Sequence, residues 1–148
     1  YTEVGQIARQ ARELGMTAVI LGGDGWDSPK TIEIGGEAVE GAYFSNHYSD
    51  EDPNPVVQNY IAKFKAKYNE VPDAMGVLGY DCAKVLIDAM KRANTTDGPA
   101  LRDAIAATKD YPGVSGQISI NALRNATKSA VVLKIEGGKL RYKETINP

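Results

Sequence analysis

The stretch Thr17–Pro29 constrains the fold of this chain more than any other. Its first five residues, Thr17–Leu21, include two β-branched apolar side chains and precede glycines, which is typical of a buried strand in a parallel sheet. Glycines at three of the next four positions let the backbone turn sharply and come close to a ligand. Because ligands of open α/β sheets bind beyond the carboxyl ends of the strands, the sequence predicts a binding loop here.

The polar residues of this loop allow two interpretations. Asp24 lies between two glycines, two residues before the only tryptophan of the chain, Trp26. A carboxylate beside an aromatic wall suits a small cationic group such as the α-ammonium of an amino acid, whereas the alternative is an Asx-turn in a solvated connection. For Asp27 and Ser28 the structural interpretation is favoured, with Ser28 as the N-cap of a helix that begins at Pro29.

Composition and charge exclude several classes of protein. The chain has 148 residues and a net charge of −2, and its lysines and arginines do not cluster, so nucleic acid is not an expected partner. No apolar run is long enough to cross a membrane. The single histidine, His47, is interpreted as a surface or hinge residue, and the single cysteine, Cys82, as a core residue. We therefore expect no histidine metal cluster, no internal disulfide, no cofactor and no catalytic set.

Periodicity and breaks predict the order of elements. A helix from Thr2 to Leu14 ends at Gly15, immediately before the strand, as in the second half of a βαβ unit whose first strand is missing. We therefore expect the chain to be a fragment of a larger α/β protein. The other predicted elements are helical turns over Pro29–Ile34, a strand over Val39–Ser45, a polar linker over Asn46–Pro55, helices over Val56–Tyr68, Ala74–Ala93 and Pro99–Ala107, a strand over Gln117–Ile120, and a hairpin of Ser129–Ile135 and Lys139–Glu144 across Glu136-Gly137-Gly138.

One of the predicted helices carries an unusually broad apolar face. In the segment Ala74–Ala93 this face predicts deep burial of the helix. Its members are Val77, Leu78, Ala83, Leu86, Ile87 and Met90.

A series of short segments follows one order along the chain: Gly5-Gln6-Ile7 with residues 9–15, Gly22-Gly23-Asp24-Gly25-Trp26, Glu40-Gly41-Ala42-Tyr43-Phe44, Tyr68 with Pro72-Asp73-Ala74, and Leu78-Gly79-Tyr80-Asp81. In this order the series resembles the C-terminal part of periplasmic branched-chain amino-acid-binding proteins. These proteins are the receptors of ABC importers and have the type I periplasmic-binding-protein fold. The resemblance covers nearly the whole chain, and its specificity lies in the ordered set.

The resemblance implies a fold class and a division of the chain. The fold would be α/β, the C-terminal part of a two-lobed receptor in which parallel sheets are flanked by helices, with a C-terminal β-hairpin. Residues 1–45 would belong to lobe 2, residues 46–128 to lobe 1, and residues 129–148 would form the hairpin that crosses back toward lobe 2. We expect the missing N-terminal segment of the same protein as a partner, or an exchange of elements between two copies.

The resemblance also implies roles for individual residues. Asp24 would bind the ammonium group of the ligand, with Gly25 in the same loop and Trp26 at the wall of the cleft. Tyr1 falls in a tyrosine-containing loop that contacts the ligand, and Met75–Leu78 would come near the side-chain pocket. The ligand carboxylate would be bound by the N-terminal lobe, outside this chain.

The implied function is that of the solute-binding component of an ABC transporter. It would capture a branched-chain or similar amino acid between two lobes, without catalysis, in the periplasm or lipid-anchored outside the cell, and would dock on the membrane subunits of the transporter. Two alternatives stay open. One is a ligand-sensing receptor domain of the same fold, and the other is a nucleotide loop of the NAD-kinase and diacylglycerol-kinase group built on Gly22-Gly23-Asp24-Gly25. In that group a hydroxyl residue follows, where this chain has Trp26.

Overall fold

The computed structural model describes all residues 1–148, and these divide into two units. Unit 1 comprises Tyr1–Glu51 and Ala130–Ile146, and unit 2 comprises Asp52–Ser129 with Asn147–Pro148. The first crossing, after Glu51, falls inside the predicted linker. The second, after Ser129, lies one residue from the predicted boundary at 128/129. The assignment of these units to two receptor lobes stays a prediction.

Five helices and seven strands make up the chain. They are α1 (Thr2–Glu13), β1 (Leu21–Gly22), α2 (Pro29–Gly35), β2 (Tyr43–Asn46), α3 (Pro55–Tyr68), α4 (Ala74–Ala93), α5 (Gly98–Ala106), β3 (Tyr111–Gly113), β4 (Gly116–Ile120), β5 (Ala126–Thr127), β6 (Ala130–Ile135) and β7 (Leu140–Ile146), with short 3₁₀ turns over Asp24–Trp26 and Gly36–Val39. None of the helices combines the length and the apolar character that crossing a membrane requires.

Unit 1 is built on a mixed sheet of order β1-β2-β6-β7. The β1–β2 pair is parallel, and the other two pairs are antiparallel. Its core lies between this sheet and the helix α1 with the segment before β2. The fully buried members of this core are Ala8, Val39, Ala42, Phe44, Val131, Leu133 and Ile135.

The first strand is shorter and more exposed than predicted. Of Thr17–Leu21 only Leu21 lies in β1, although Ile20 O accepts a hydrogen bond from the Tyr43 N–H at 3.1 Å. Val19 and Leu21 are 62% and 73% exposed, so the prediction of a buried strand over this segment is wrong for this chain. The reason is that β1 is the edge strand and is hydrogen-bonded only to β2. Strand β2 is also shorter, because a 3₁₀ turn ends at Val39 and Gly41 takes φ +78°, which delays the strand to Tyr43.

An exposed apolar edge predicts that the isolated 148-residue chain associates. Unpaired edge groups and the bare side chain of Leu21 form a template for pairing with a second copy. We expect oligomers in size-exclusion chromatography with light scattering, and we expect Leu21→Lys to reduce them because a charge blocks edge pairing. Leu123→Lys is the matched control, since Leu123 is 79% exposed outside any strand. A monodisperse, folded monomer of the unsubstituted chain would contradict the prediction.

The predicted hairpin is confirmed. Strands β6 and β7 pair from Ala130↔Ile146 to Ile135↔Leu140. The turn between them places Gly137 and Gly138 at φ +61° and +67°, the conformation of a tight hairpin turn that favours glycine. The carboxylate of Glu40 accepts hydrogen bonds from both of these glycine N–H groups, at 2.7 and 3.3 Å. The turn is therefore fixed to the segment before β2.

Unit 2 contains α3, α4, α5 and the antiparallel sheet β3-β4-β5. The predicted helices are confirmed to within one residue, and each begins at a capping side chain: Asn54, Asp73 and Asp97 accept hydrogen bonds from the first turns of α3, α4 and α5. Strand β3 and the two-residue β5 were not predicted. The predicted strand over Gln117–Ile120 is β4, which begins one residue earlier.

The broad apolar face of α4 is only partly buried. The side chains that face the interior are Ala74, Val77, Asp81, Val85 and Ala89, whereas Leu86 and Ile87 are 41% and 47% exposed and Cys82 is exposed. The interpretation of Cys82 as a core residue is therefore wrong within this chain, and so is the deep burial of Ala83, Leu86 and Ile87, which are all exposed. Within this chain α4 packs mainly against α5 and β3, which cover one side of the helix.

Candidate functional site

The loop after β1 places Asp24 directly beyond the carboxyl end of the strand. A 3₁₀ turn begins at Asp24, and it is closed by hydrogen bonds from the Trp26 N–H to Gly23 O at 3.2 Å and from the Asp27 N–H to Asp24 O at 3.1 Å. The side chain of Asp24 is 55% exposed. Its carboxylate is therefore presented to solvent at the edge of the sheet where ligands of α/β proteins bind.

Trp26 rests on the core of unit 1. Its ring lies 5.9 Å from that of Phe44, at an interplanar angle of 34°. The ring also covers Gly22, where an added Cβ would lie only 2.1 Å from Trp26 Cε2. Behind it, the buried hydroxyl of Thr31 donates to Trp26 O at 2.8 Å. The Trp26 ring can therefore occupy this position only because residue 22 has no side chain.

Replacing Gly22 by alanine should displace the Trp26 ring. A contact of 2.1 Å cannot be tolerated, so the indole must leave Phe44 and become more exposed to water. Because Trp26 is the only tryptophan of this chain, we expect a red shift of tryptophan emission. Gly23→Ala is the matched control, since nothing lies within 4 Å of a Cβ added there. An unshifted spectrum of Gly22→Ala, or an equal shift in both variants, would contradict this packing.

The cap of the following helix is as predicted. The Ser28 hydroxyl accepts a hydrogen bond from the Lys30 N–H at 3.2 Å, and Pro29 is the first residue of α2. This cap fixes the downstream end of the loop that carries Asp24.

His47 contacts the carboxylate of Asp24, a residue 23 positions earlier. Its Nε2 lies 2.9 Å from Asp24 Oδ2, and its side chain is 33% exposed. The interpretation of His47 as a surface or hinge residue missed this contact. One signal was available: both residues follow strands that are parallel neighbours in the sheet, so their carboxyl ends meet at one edge.

The structure does not join the other predicted site residues to Asp24. Tyr1 is 50% exposed at the start of α1, and no hydrogen bond or ring contact links it to Asp24 or Trp26. Gly25 lies in the 3₁₀ turn with open space around it. Met75 is 62% exposed in the first turn of α4, in unit 2. No group of three or more histidine, cysteine or acidic side chains is arranged to hold a metal ion.

Comparison with known proteins identifies the family. Residues 2–139 match the sequence profile of the periplasmic binding proteins. The chain belongs to this family. A Leu/Ile/Val-binding protein homolog of Brucella abortus is 30% identical over 146 residues, which cover 96% of this chain and 39% of that protein. The family model is described as one of periplasmic binding proteins, and this relative is named as a binding protein.

Solved structures show the same fold. The leucine binding protein LivK from Thermotoga maritima superposes with a TM-score of 0.88 at 44% identity, over 99% of this chain and 42% of that one. The branched-chain amino acid transporter substrate binding protein LivJ from Streptococcus pneumoniae, solved with isoleucine, gives a TM-score of 0.83 at 31% identity, over 100% and 42%. The predicted α/β fold class and the family resemblance are confirmed. The prediction of parallel sheets is wrong within this chain, where only the β1–β2 pair is parallel. The chain spans about two fifths of the length of these relatives.

Proposed function

We propose that this chain forms part of an amino-acid receptor of an ABC importer, which captures a branched-chain or similar amino acid between two lobes. The names of its relatives support this, since they are Leu/Ile/Val-, leucine- or branched-chain amino acid-binding proteins. The receptor would act in the periplasm or lipid-anchored at the outer face of the cell, and would deliver its ligand to the membrane subunits of the transporter. The chain would work together with the remaining three fifths of such a receptor.

The observation that carries the proposal is the carboxylate of Asp24. It lies at the carboxyl end of β1, is exposed, and stands between two glycines that keep the backbone approach open. A primary ammonium group donates three hydrogen bonds, and a fixed carboxylate is its strongest neutralising partner. Asp24 would therefore bind the α-ammonium of the amino acid, with Trp26 beside it and with the residues for the ligand carboxylate outside this chain.

Capture would occur by lobe closure. A ligand stabilises the closed form only by the difference in its affinity for the two forms, so contacts from both sides are needed. In this chain Asp24 would supply the contact to the ammonium end. Closure would also remove water from around the Asp24 carboxylate and the ligand ammonium, and so strengthen the attraction between them.

The test is a calorimetric titration of a receptor that contains this chain together with the part of its relatives' length that the chain does not cover. The probes are L-leucine, L-isoleucine and L-valine, and 4-methyl-2-oxopentanoate as the counterpart of leucine without the ammonium group. We expect the amino acids to bind and the oxo acid to bind at least tenfold more weakly, because it leaves a desolvated carboxylate unpaired. Absence of heat with every amino acid, or equal affinity for the oxo acid, would overturn the proposal.

A further inference from the structure

The contact between His47 and Asp24 uses one carboxylate oxygen and leaves the other available. Nε2 of His47 lies 2.9 Å from Oδ2 of Asp24, and no hydrogen bond of Oδ1 is present. A carboxylate can accept about four hydrogen bonds, so the bond from His47 does not saturate it. Asp24 thus keeps a full acceptor oxygen for a second donor.

Asp24 and His47 differ in the packing of their neighbours in the chain. Asp24 stands between Gly23 and Gly25, and nothing lies within 4 Å of a Cβ added at either glycine. His47 follows Asn46, the last residue of β2, which is only 3% exposed and whose Oδ1 accepts the His47 N–H at 2.8 Å. His47 therefore follows a strand residue whose side chain is buried, whereas both chain neighbours of Asp24 are glycines.

The sheet register explains why they meet. Gly22 of β1 stands opposite Phe44 of β2 in a parallel pair, so the residues two and three positions further on leave the sheet at the same edge. Asp24 and His47 are these residues. Both residues of the contact lie in unit 1.

We propose that His47 is a positioning residue for Asp24: its ring N–H holds Oδ2 and orients Oδ1 toward the ammonium group of the ligand. This rests on the proposed function of Asp24. An exposed aspartate flanked by glycines would otherwise sample several rotamers, and the loss of that freedom would reduce affinity. With His47 in place the carboxylate is already oriented before the ligand arrives.

If His47 instead competed with the ligand for Asp24, the effect of His47→Ala on ligand affinity would have the opposite sign. If the imidazole merely occupied the place of the ammonium, its removal would free Asp24 and tighten ligand binding. If it positions the carboxylate, its removal weakens binding. The sign of the effect of His47→Ala therefore decides between the two.

The experiment is a double-mutant cycle on the longer receptor, titrated with L-leucine. We expect His47→Ala to weaken binding by about tenfold, the upper end of the cost of ordering one free side chain when the ligand binds. His47→Gln should stay within about threefold of the parent, because the Nε2 amide of glutamine can donate from the same place as the imidazole Nε2. His47→Asn is the matched control: it is polar but too short to reach, and should behave as alanine does.

The Asp24→Asn background distinguishes a positioning role of His47 from a general structural role. In Asp24→Asn, His47→Ala should change the remaining affinity by less than about twofold, since no carboxylate is left to orient. Tryptophan emission of the 148-residue chain, in which Trp26 is the only tryptophan, reports whether the loop stays folded in each variant. Unchanged or tighter binding by His47→Ala, loss of binding by His47→Gln equal to that of alanine, or fully additive effects with Asp24→Asn would overturn the positioning role alone. A parent receptor that binds no amino acid would overturn the proposed function, and the positioning role with it.

Discussion

Replacing Asp24 by alanine should weaken amino-acid binding by well over tenfold in a receptor that contains this chain. Truncating one partner of a desolvated, hydrogen-bonded charge pair costs about 2–5 kcal/mol, and each 1.4 kcal/mol is about a factor of ten in the dissociation constant. The carboxylate is 55% exposed in this chain, so the effect depends on closure around the ligand. Isothermal titration with L-leucine measures it.

Two further variants test whether the loss of affinity is due to the charge of Asp24. Asp24→Asn keeps the shape of the side chain and removes its charge, so most of the loss should remain. Glu33→Gln is the matched control, because Glu33 is an exposed carboxylate of α2 in the same unit and makes no contact with Asp24. Its affinity for leucine should equal that of the parent. Retention of parental affinity by Asp24→Ala would exclude Asp24 as the ammonium site.

Elements with local signals were predicted most accurately. The bounds of α4 were exact, because Asp73 caps its start and Asn94 ends it in a left-handed conformation at φ +49°. The hairpin turn at Gly137-Gly138 was likewise predicted from two adjacent glycines between apolar runs. Caps and tight turns depend on residues within a few positions, so the sequence contains all that determines them.

Burial was predicted less well because it depends on the neighbours of an element. Val19, Leu21, Leu86 and Ile87 have the composition of core residues, yet all are more than two fifths exposed here. Apolar periodicity indicates that a face is made for contact but does not say which element covers it. The chain spans about two fifths of its structural relatives, and the faces left bare are on the edge strand β1 and the outer side of α4.

In the candidate site, too, the local features were predicted and the contacts between distant residues were not. The position of Asp24 beyond β1 was predicted from the strand and its glycines, and the structure places it there. The contact with His47 was missed because it depends on the pairing of β1 with β2, two strands separated by twenty residues. Trp26 was expected at a cleft wall, and its packing on Phe44 and over Gly22 could be seen only in three dimensions.

A second large effect is expected at Asp81, a charged residue inside unit 2. Its side chain is 2% exposed on the inner face of α4, and its two carboxylate oxygens accept the N–H groups of Val114 and Ser115 at 2.8 Å each. Nearby, burial lowers the pKa of Lys128, and the charge of Asp81 opposes that shift. The carboxylate thus ties α4 to the turn between β3 and β4, and its charge favours the charged form of the partly buried Lys128.

Asp81→Ala should therefore destabilise unit 2 by about 3–5 kcal/mol, the cost of breaking a buried charged network by removing one partner. Two buried N–H groups would lose their acceptor, and Lys128 would lose its compensating charge. The urea unfolding midpoint of the longer receptor measures the loss. The matched control is Asp88→Ala on the same helix: its ion pair with Arg92 at 2.7 Å is more than a third exposed on both sides and should contribute less than about 1 kcal/mol. If Asp81→Ala cost no more than Asp88→Ala, the two backbone bonds would not be what holds the β3–β4 turn against α4.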